Sequence, residues 1–205
     1  MTEPGRRILS ESFAIIEREL GAHTLPPWAF AVVRRMIHAS ADFDFARTLR
    51  YSPDFPAAIQ VAFCDRAPIV TDTEMVLLGV RTALAAWPGL TAACYLNDPE
   101  TKLTAGDDLT RSAAGIRLAA RRHPRPVLAI GNAPTAVEEA LRLVAEEGWR
   151  PRALVAIPVG FVGVVEAKER LLGQSAVPYL TCTGRKGGSA VTAAAVNALV
   201  ECQFP

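Results

Sequence analysis

Histidine is scarce in this chain of 205 residues: His23, His38 and His123 are the only three. Cysteine is also thin. Cys64, Cys94, Cys182 and Cys202 are scattered, with no C-x-x-C and no Cys/His ligand spacing. That pattern excludes the common zinc motifs and a disulfide framework. It predicts buried free thiols and a reducing, cytoplasmic setting. Neither sign of charge is in excess, since 22 Lys and Arg face 21 Asp and Glu. A broad nucleic-acid or membrane patch is therefore not expected, and any anionic ligand must be met by local Arg and Lys. No long hydrophobic run is present. The most apolar stretch, 153–165, is broken by Pro158 and Gly160 and is shorter than the ~20 residues of a membrane span. Residues 1–7 lack the apolar core of a secretory signal. No G-x-G-x-x-G follows the early strands and no G-x-x-x-x-G-K-[ST] occurs. The expectation is a protein with no metal and no nucleotide cofactor.

What the chain does have is half its residues apolar and a length that suits one domain, 1–205, with a substantial core. Its character changes near Ala67. Before that point the signals are helical: Ile8 to Leu20 with Ile8, Ile16 and Leu20 on one face beside Phe13, then Pro26–Ala39, then Phe55–Cys64. After it, strand and helix patterns alternate. The expected strands are Ile69–Thr71, Leu90–Leu96, Val127–Ile130, Leu154–Ile157 and Tyr179–Thr183. The expected helices lie near Glu74–Ala86, Leu109–Arg122, Thr135–Glu147, Val162–Leu172 and Ser189–Glu201. This predicts a three-layer α/β/α domain, a flavodoxin-like, doubly wound, five-stranded parallel sheet with extra N-terminal helices.

Three Gly-containing turns stand at the ends of consecutive strands: Gly131-Asn132-Ala133-Pro134-Thr135, Pro158-Val159-Gly160-Phe161-Val162 and Thr183-Gly184-Arg185-Lys186-Gly187-Gly188-Ser189. In open α/β sheets ligands bind at that edge, so the turns suggest one shared site. Asn132 is a candidate cap for the helix that follows, with Pro134 in its first turn. The 184–189 segment can hold a carboxylate on its N–H groups beside Arg185 and Lys186, or be a tight turn with Ser189 as helix cap. His38 closes a helical stretch, three residues after Arg35 and so on its face. Such a pair can meet an anion and exchange a proton with it; a helix-terminal His can equally be a surface or capping residue. His23 and His123 read as surface residues. Arg111 can bind a carboxylate or pair with Asp107. Asp72 and Glu74 can act as bases or ligands, or Asp72 or Thr73 can cap a helix.

Together these segments resemble the precorrin-8X methylmutase family of cobalamin biosynthesis. The matching pieces run in the family's order: Ser12-Phe13-Ala14-Ile15-Ile16, Arg35-Met36-Ile37-His38, Asp72-Thr73-Glu74-Met75-Val76, Thr110-Arg111-Ser112, the 131–136 turn, Pro158-Val159-Gly160-Phe161-Val162-Gly163 with Glu166 and Lys168, and the 184–189 turn with Asn197-Ala198-Leu199. One departure is Ala156, where the family usually has Gly; it is expected to alter packing more than chemistry. The resemblance implies an isomerase that moves a methyl group from C-11 to C-12 of a tetrapyrrole, with no methyl donor and no cofactor. It places the catalytic histidine at His38 and substrate contacts at Ser12, Arg35 and Arg111, and it implies a homodimer. Read physically, a flat ring bearing many carboxylates needs spread cationic and N–H donors with apolar walls. Arg35, Arg111, Arg185 and Lys186, with the turn at Asn132, are the candidates. The competing readings are a tetrapyrrole carrier without turnover and a flavodoxin-like nucleotide binder.

Overall fold

The computed structural model describes residues 2–85, 87–106 and 108–202. Helix α1 (Glu3–Leu20) lies on α2 (Pro27–Ser40), and the short α3 (Phe45–Thr48) leads into strand β1 (Leu49–Tyr51). Helix α4 (Phe55–Cys64) precedes β2 (Ile69–Thr71), α5 (Glu74–Ala85) and β3 (Ala92–Cys94). Helices α6 (Pro99–Thr104) and α7 (Arg111–Arg122) lead to β4 (Val127–Ile130) and α8 (Pro134–Glu146). The chain then runs through β5 (Ala153–Ala156), α9 (Val164–Leu172), β6 (Tyr179–Cys182) and α10 (Ser189–Glu201).

The sheet has six strands in the order β1-β6-β5-β4-β2-β3. The five strands expected from the sequence are all present, and they pair in parallel with one another. The expectation of a five-stranded, wholly parallel sheet is corrected by β1, which pairs antiparallel to β6 with Arg50 opposite Thr181. β1 is three residues long and carries no apolar run, so it gave no strand signal; pairing with β6 is what makes it a strand.

Parallel strands covered on both faces should be apolar throughout. β2, β4, β5 and β6 are buried at every position. Side chains alternate between the faces. Val127, Ala129, Ala153 and Val155 pack with α2, α4, α5 and α10. Leu128, Ile130, Leu154 and Ala156 pack with α7, α8 and α9. Ala156, the departure from the family pattern, thus spends its methyl group in the second core.

Helix α10 sits against both α2 and α5, and its Ala-rich sequence permits close approach. A Cβ built on Gly79 of α5 would lie 2.6 Å from the Cβ of Ala193, and the carbonyl of Gly79 accepts a hydrogen bond from Asn197 Nδ2 at 3.0 Å. Helix propensity alone favours Gly79→Ala by about 1 kcal/mol. Overpacking, at about 1–3 kcal/mol, opposes it and wins. Gly79→Ala is expected to lower the melting temperature by several degrees; a rise in a calorimetric scan would show that the two helices separate at little cost.

Candidate functional site

The site is built at the carboxyl edge of the sheet, and buried charges shape its turns. Asp72 follows β2 and is only 2 % exposed. Its carboxylate accepts the backbone N–H groups of Gly131, Asn132 and Ala133 at 2.9, 2.8 and 2.9 Å. Burial pushes its pKa up, against the pull of these donors. Asp72 is therefore neither a base open to solvent nor a helix cap. Thr73 takes the capping position on α5, accepting the Val76 N–H. Asn132 does not cap α8 with its side chain; Ala133 is the cap residue. The turn's donors are spent on Asp72, so what this turn offers a ligand is the exposed Asn132 side chain. A Cβ on Gly131 would meet Ser189 Cα at 2.9 Å, which sets this turn close against the start of α10.

The second buried charge is Lys168 of α9, 1 % exposed. Its ammonium donates to the carbonyls of Gly184 and Lys186 at 2.9 and 2.8 Å and approaches Cys182 Sγ at 3.5 Å. The Cys182 thiol in turn donates to the Lys186 carbonyl at 3.1 Å. Burial lowers the Lys168 pKa, which Cys182 partly offsets, and burial raises the Cys182 pKa. The turn after β6 is thereby fixed from below. From the side, Gly188 N–H donates to Ile157 O at 2.9 Å, and Gly160 N–H donates to Arg185 O at 3.2 Å. Gly187 has no room for a Cβ, which would lie 2.3 Å from Ile157 O. Ser189 does not cap α10; Gly188 holds that position, and the Ser189 hydroxyl meets that of Thr73 at 3.2 Å.

Arg35 and His38, on one face of α2, line a cavity of about 320 Å³ together with Met75, Gly79, Ala190 and Asn197. His38 is exposed at the C-terminal end of α2. Its ring meets Phe13 edge to face, 5.6 Å between centroids. Ser12, next to Phe13, donates its hydroxyl to Ile8 O at 2.8 Å, which leaves the oxygen's lone pairs to accept. Arg35 is paired with Glu201 at the end of α10 and stands 5.6 Å from the Phe13 ring. Lys186 reaches back to Asp42 and Asp44, just beyond α2. These partners raise its pKa, Asp42 most, and Lys186 holds the Asp44 carboxyl below the usual aspartate range.

The structure thus joins Arg35 and His38 around one cavity, sets Ser12 beside it only through its neighbour Phe13, which meets both, and ties Lys186 to the loop that follows His38. Arg111 and Asn132 belong to the same sheet edge but not to that cavity. A hydrogen bond of 2.8 Å between Thr110 and Thr135 hydroxyls links the starts of α7 and α8 beside them. Arg111 is exposed; its expected partner Asp107 lies outside the described residues. Arg185 is exposed, with its guanidinium 5.5 Å from the Phe161 ring centroid.

Other expectations are corrected. Cys64 is exposed, and Cys94 and Cys202 are half-buried; only Cys182 is buried. His123 is not a free surface residue, since Tyr95 Oη bonds its Nε2 at 2.6 Å and burial lowers its pKa, with Arg122 adding to the effect. A larger cavity of about 700 Å³ lies at the amino edge, lined by Arg125, Arg150 and Arg152. Two of its arginines are already engaged, Arg152 with Asp65 and Arg150 with the Val144 and Trp149 carbonyls. That edge has none of the strand-to-helix turns. Among the described residues no three His, Cys, Asp or Glu side chains gather to hold a metal ion, and no helix is long and apolar enough to cross a membrane.

An open α/β sheet with a His–Arg cavity and cationic turns at its carboxyl edge is the plan of an enzyme that takes an acidic small molecule. Comparison with known proteins makes that particular. The precorrin-8X methylmutase family matches residues 7–202. A precorrin-8X methylmutase of Sinorhizobium sp is 40% identical over 95% of this chain and 93% of its own length. A cobalt-precorrin-8 methylmutase of Priestia megaterium is 36% identical over 97% and 88%. The solved precorrin-8x methyl mutase of Thermus thermophilus superposes with a TM-score of 0.87 at 35% identity, covering 95% of this chain and 94% of that one. The chain belongs to the precorrin-8X methylmutase family and is an enzyme of that type, an isomerase of cobalamin biosynthesis.

Lys168 was legible only as part of the family pattern. Nothing in the residues near it announces a buried amine that serves a turn sixteen residues downstream. Lys168→Met leaves the Gly184 and Lys186 carbonyls without their shared donor. Urea unfolding should show a loss of about 2–4 kcal/mol; unchanged stability would mean that the turn holds itself.

Proposed function

We propose that the enzyme converts precorrin-8X, or its cobalt counterpart, to hydrogenobyrinate or cobyrinate by moving one methyl group from C-11 to C-12. The carrying observation is that Arg35 and His38 line one cavity. His38 as imidazolium gives a proton to a nitrogen or carbon of the conjugated ring. The protonated ring draws electron density, the methyl leaves C-11 as the bond to C-12 forms, and the proton returns to His38. No atom is gained or lost, so the step needs no methyl donor and no redox partner. General acid catalysis of this kind contributes about 10²–10⁴ in rate. Arg35, Ser12, Arg111, Asn132, Arg185 and Lys186 meet the acid side chains, and close packing holds the ring in a reactive conformation.

The cavity of about 320 Å³ is at the low end of the roughly 300–1,000 Å³ of small-molecule sites. A tetrapyrrole with its acid arms exceeds it. Met75, at its rim, and Leu78 are large apolar residues left exposed. Both facts support a homodimer whose partner subunit completes the enclosure. The reading also takes residues 1–205 as one domain in the cytoplasm, without metal, cofactor, membrane or nucleic acid. The order of its five parallel strands, β3-β2-β4-β5-β6, is that of flavodoxin-like folds.

His38→Ala is expected to cut turnover of precorrin-8X by at least a hundredfold while the dissociation constant of hydrogenobyrinate changes little, because acid catalysis acts on the transition state. Arg35→Ala should show the reverse bias. Its loss of binding is about 1.5 kcal/mol, the low end for a charged hydrogen bond, because Glu201 competes for the guanidinium in the free enzyme. Near-normal turnover by a folded His38→Ala variant would move the protein to the carrier reading.

A further inference from the structure

The largest apolar side chain left in water at the carboxyl edge is not in the His38 cavity. Phe161 is 83% exposed and its neighbour Val162 is 88% exposed, at the tip of the turn after β5. Gly163 behind them has a φ of 71°, a left-handed conformation that turns the chain back into α9. An aromatic ring of this kind has on the order of 150–250 Å² to bury and forfeits that gain while it stays in solvent. The Arg185 guanidinium lies 5.5 Å from its centroid.

This pairing does not depend on two loose loops. The carbonyls on either side of Arg185, those of Gly184 and Lys186, are both held by the buried Lys168 ammonium. The Arg185 carbonyl itself accepts from Gly160. Gly187 packs its α-carbon against the Ile157 and Pro158 carbonyls, where a Cβ would lie at 2.3 and 2.6 Å. The turns after β5 and β6 are therefore tied together through their backbones, and they bring an exposed aromatic ring and a cation standing over it to one place.

We propose that Phe161 and Arg185 form a single platform for the substrate, with the ring of Phe161 stacked on the flat conjugated macrocycle and Arg185 pairing with a carboxylate at its rim. This rests on the methylmutase reading above and adds a binding residue to it. The occupant follows from the chemistry: an aromatic face next to a cation matches a flat π-system edged with acids. An aliphatic anion has no use for the ring, and a neutral aromatic has no use for the guanidinium.

The test is a titration of hydrogenobyrinic acid into wild type, Phe161→Ala, Phe161→Trp, Arg185→Ala and the Phe161→Ala/Arg185→Ala double variant. Sedimentation and turnover are measured on each. Phe161 is exposed, so its truncation leaves the core intact. Phe161→Ala should weaken binding about tenfold, and Phe161→Trp should keep it within about threefold. The double variant should lose less than the product of the two single losses, because both residues hold one rigid ligand. The kcat/KM for precorrin-8X should fall in step with affinity in each variant. If wild type does not bind hydrogenobyrinic acid at all, the methylmutase reading fails and the platform fails with it. If wild type binds and turns over while Phe161→Ala binds within twofold of it, the platform alone is overturned. A Phe161→Ala variant that shifts the oligomeric state at equal concentration overturns it too, by assigning the ring to a subunit contact.

Discussion

A buried ammonium governs the functional edge of this protein. Lys168 gives up most of its hydration to place one donor group beneath the turn after β6, where two main-chain carbonyls converge. An amine in that position is costly unless its protons are used, and here they are used on the segment that carries Arg185 and Lys186. Asp72 does the converse for the turn after β4, supplying acceptors to three N–H groups that would otherwise point outward. One charge of each sign therefore sets the backbone of the edge.

Much of this was legible in the sequence. Four of the five parallel strands, β2, β4, β5 and β6, were visible because burial on both faces forces largely apolar runs, whereas β3 is only half-buried. Helices α4 and α10 fall where periodicity placed them, from Phe55 to Cys64 and from Ser189 to Glu201. The antiparallel β1 was not visible, because Leu49–Tyr51 becomes a strand only by pairing with β6. Helices α3 and α6, four and six residues long, are too short for periodicity to show.

The candidate site was legible as types of residue but not as connections. His38 and Arg35 share a helix face by spacing alone, and they do line one cavity. The role of Asp72 lies in contacts with residues about sixty positions away, and no local pattern carries that information. Asn132 and Ser189, both candidate caps by sequence, do not cap for the same reason: the N–H groups of the 131–133 turn meet a distant carboxylate, and Ser189 meets Thr73.

The cations around His38 are not waiting with empty hands. Arg35 rests on Glu201, and Lys186 rests on Asp42 and Asp44. On the substrate contacts proposed above, a polyacid that arrives would exchange partners with these carboxylates, so each contact would contribute the difference between two ion pairs and not the whole of one. Small acids that reach a single cation gain almost nothing by the exchange. A ligand that reaches several at once gains repeatedly while ordering itself once. On the proposed contacts, the resting ion pairs would favour a ligand of many acids over a small acid that reaches one cation.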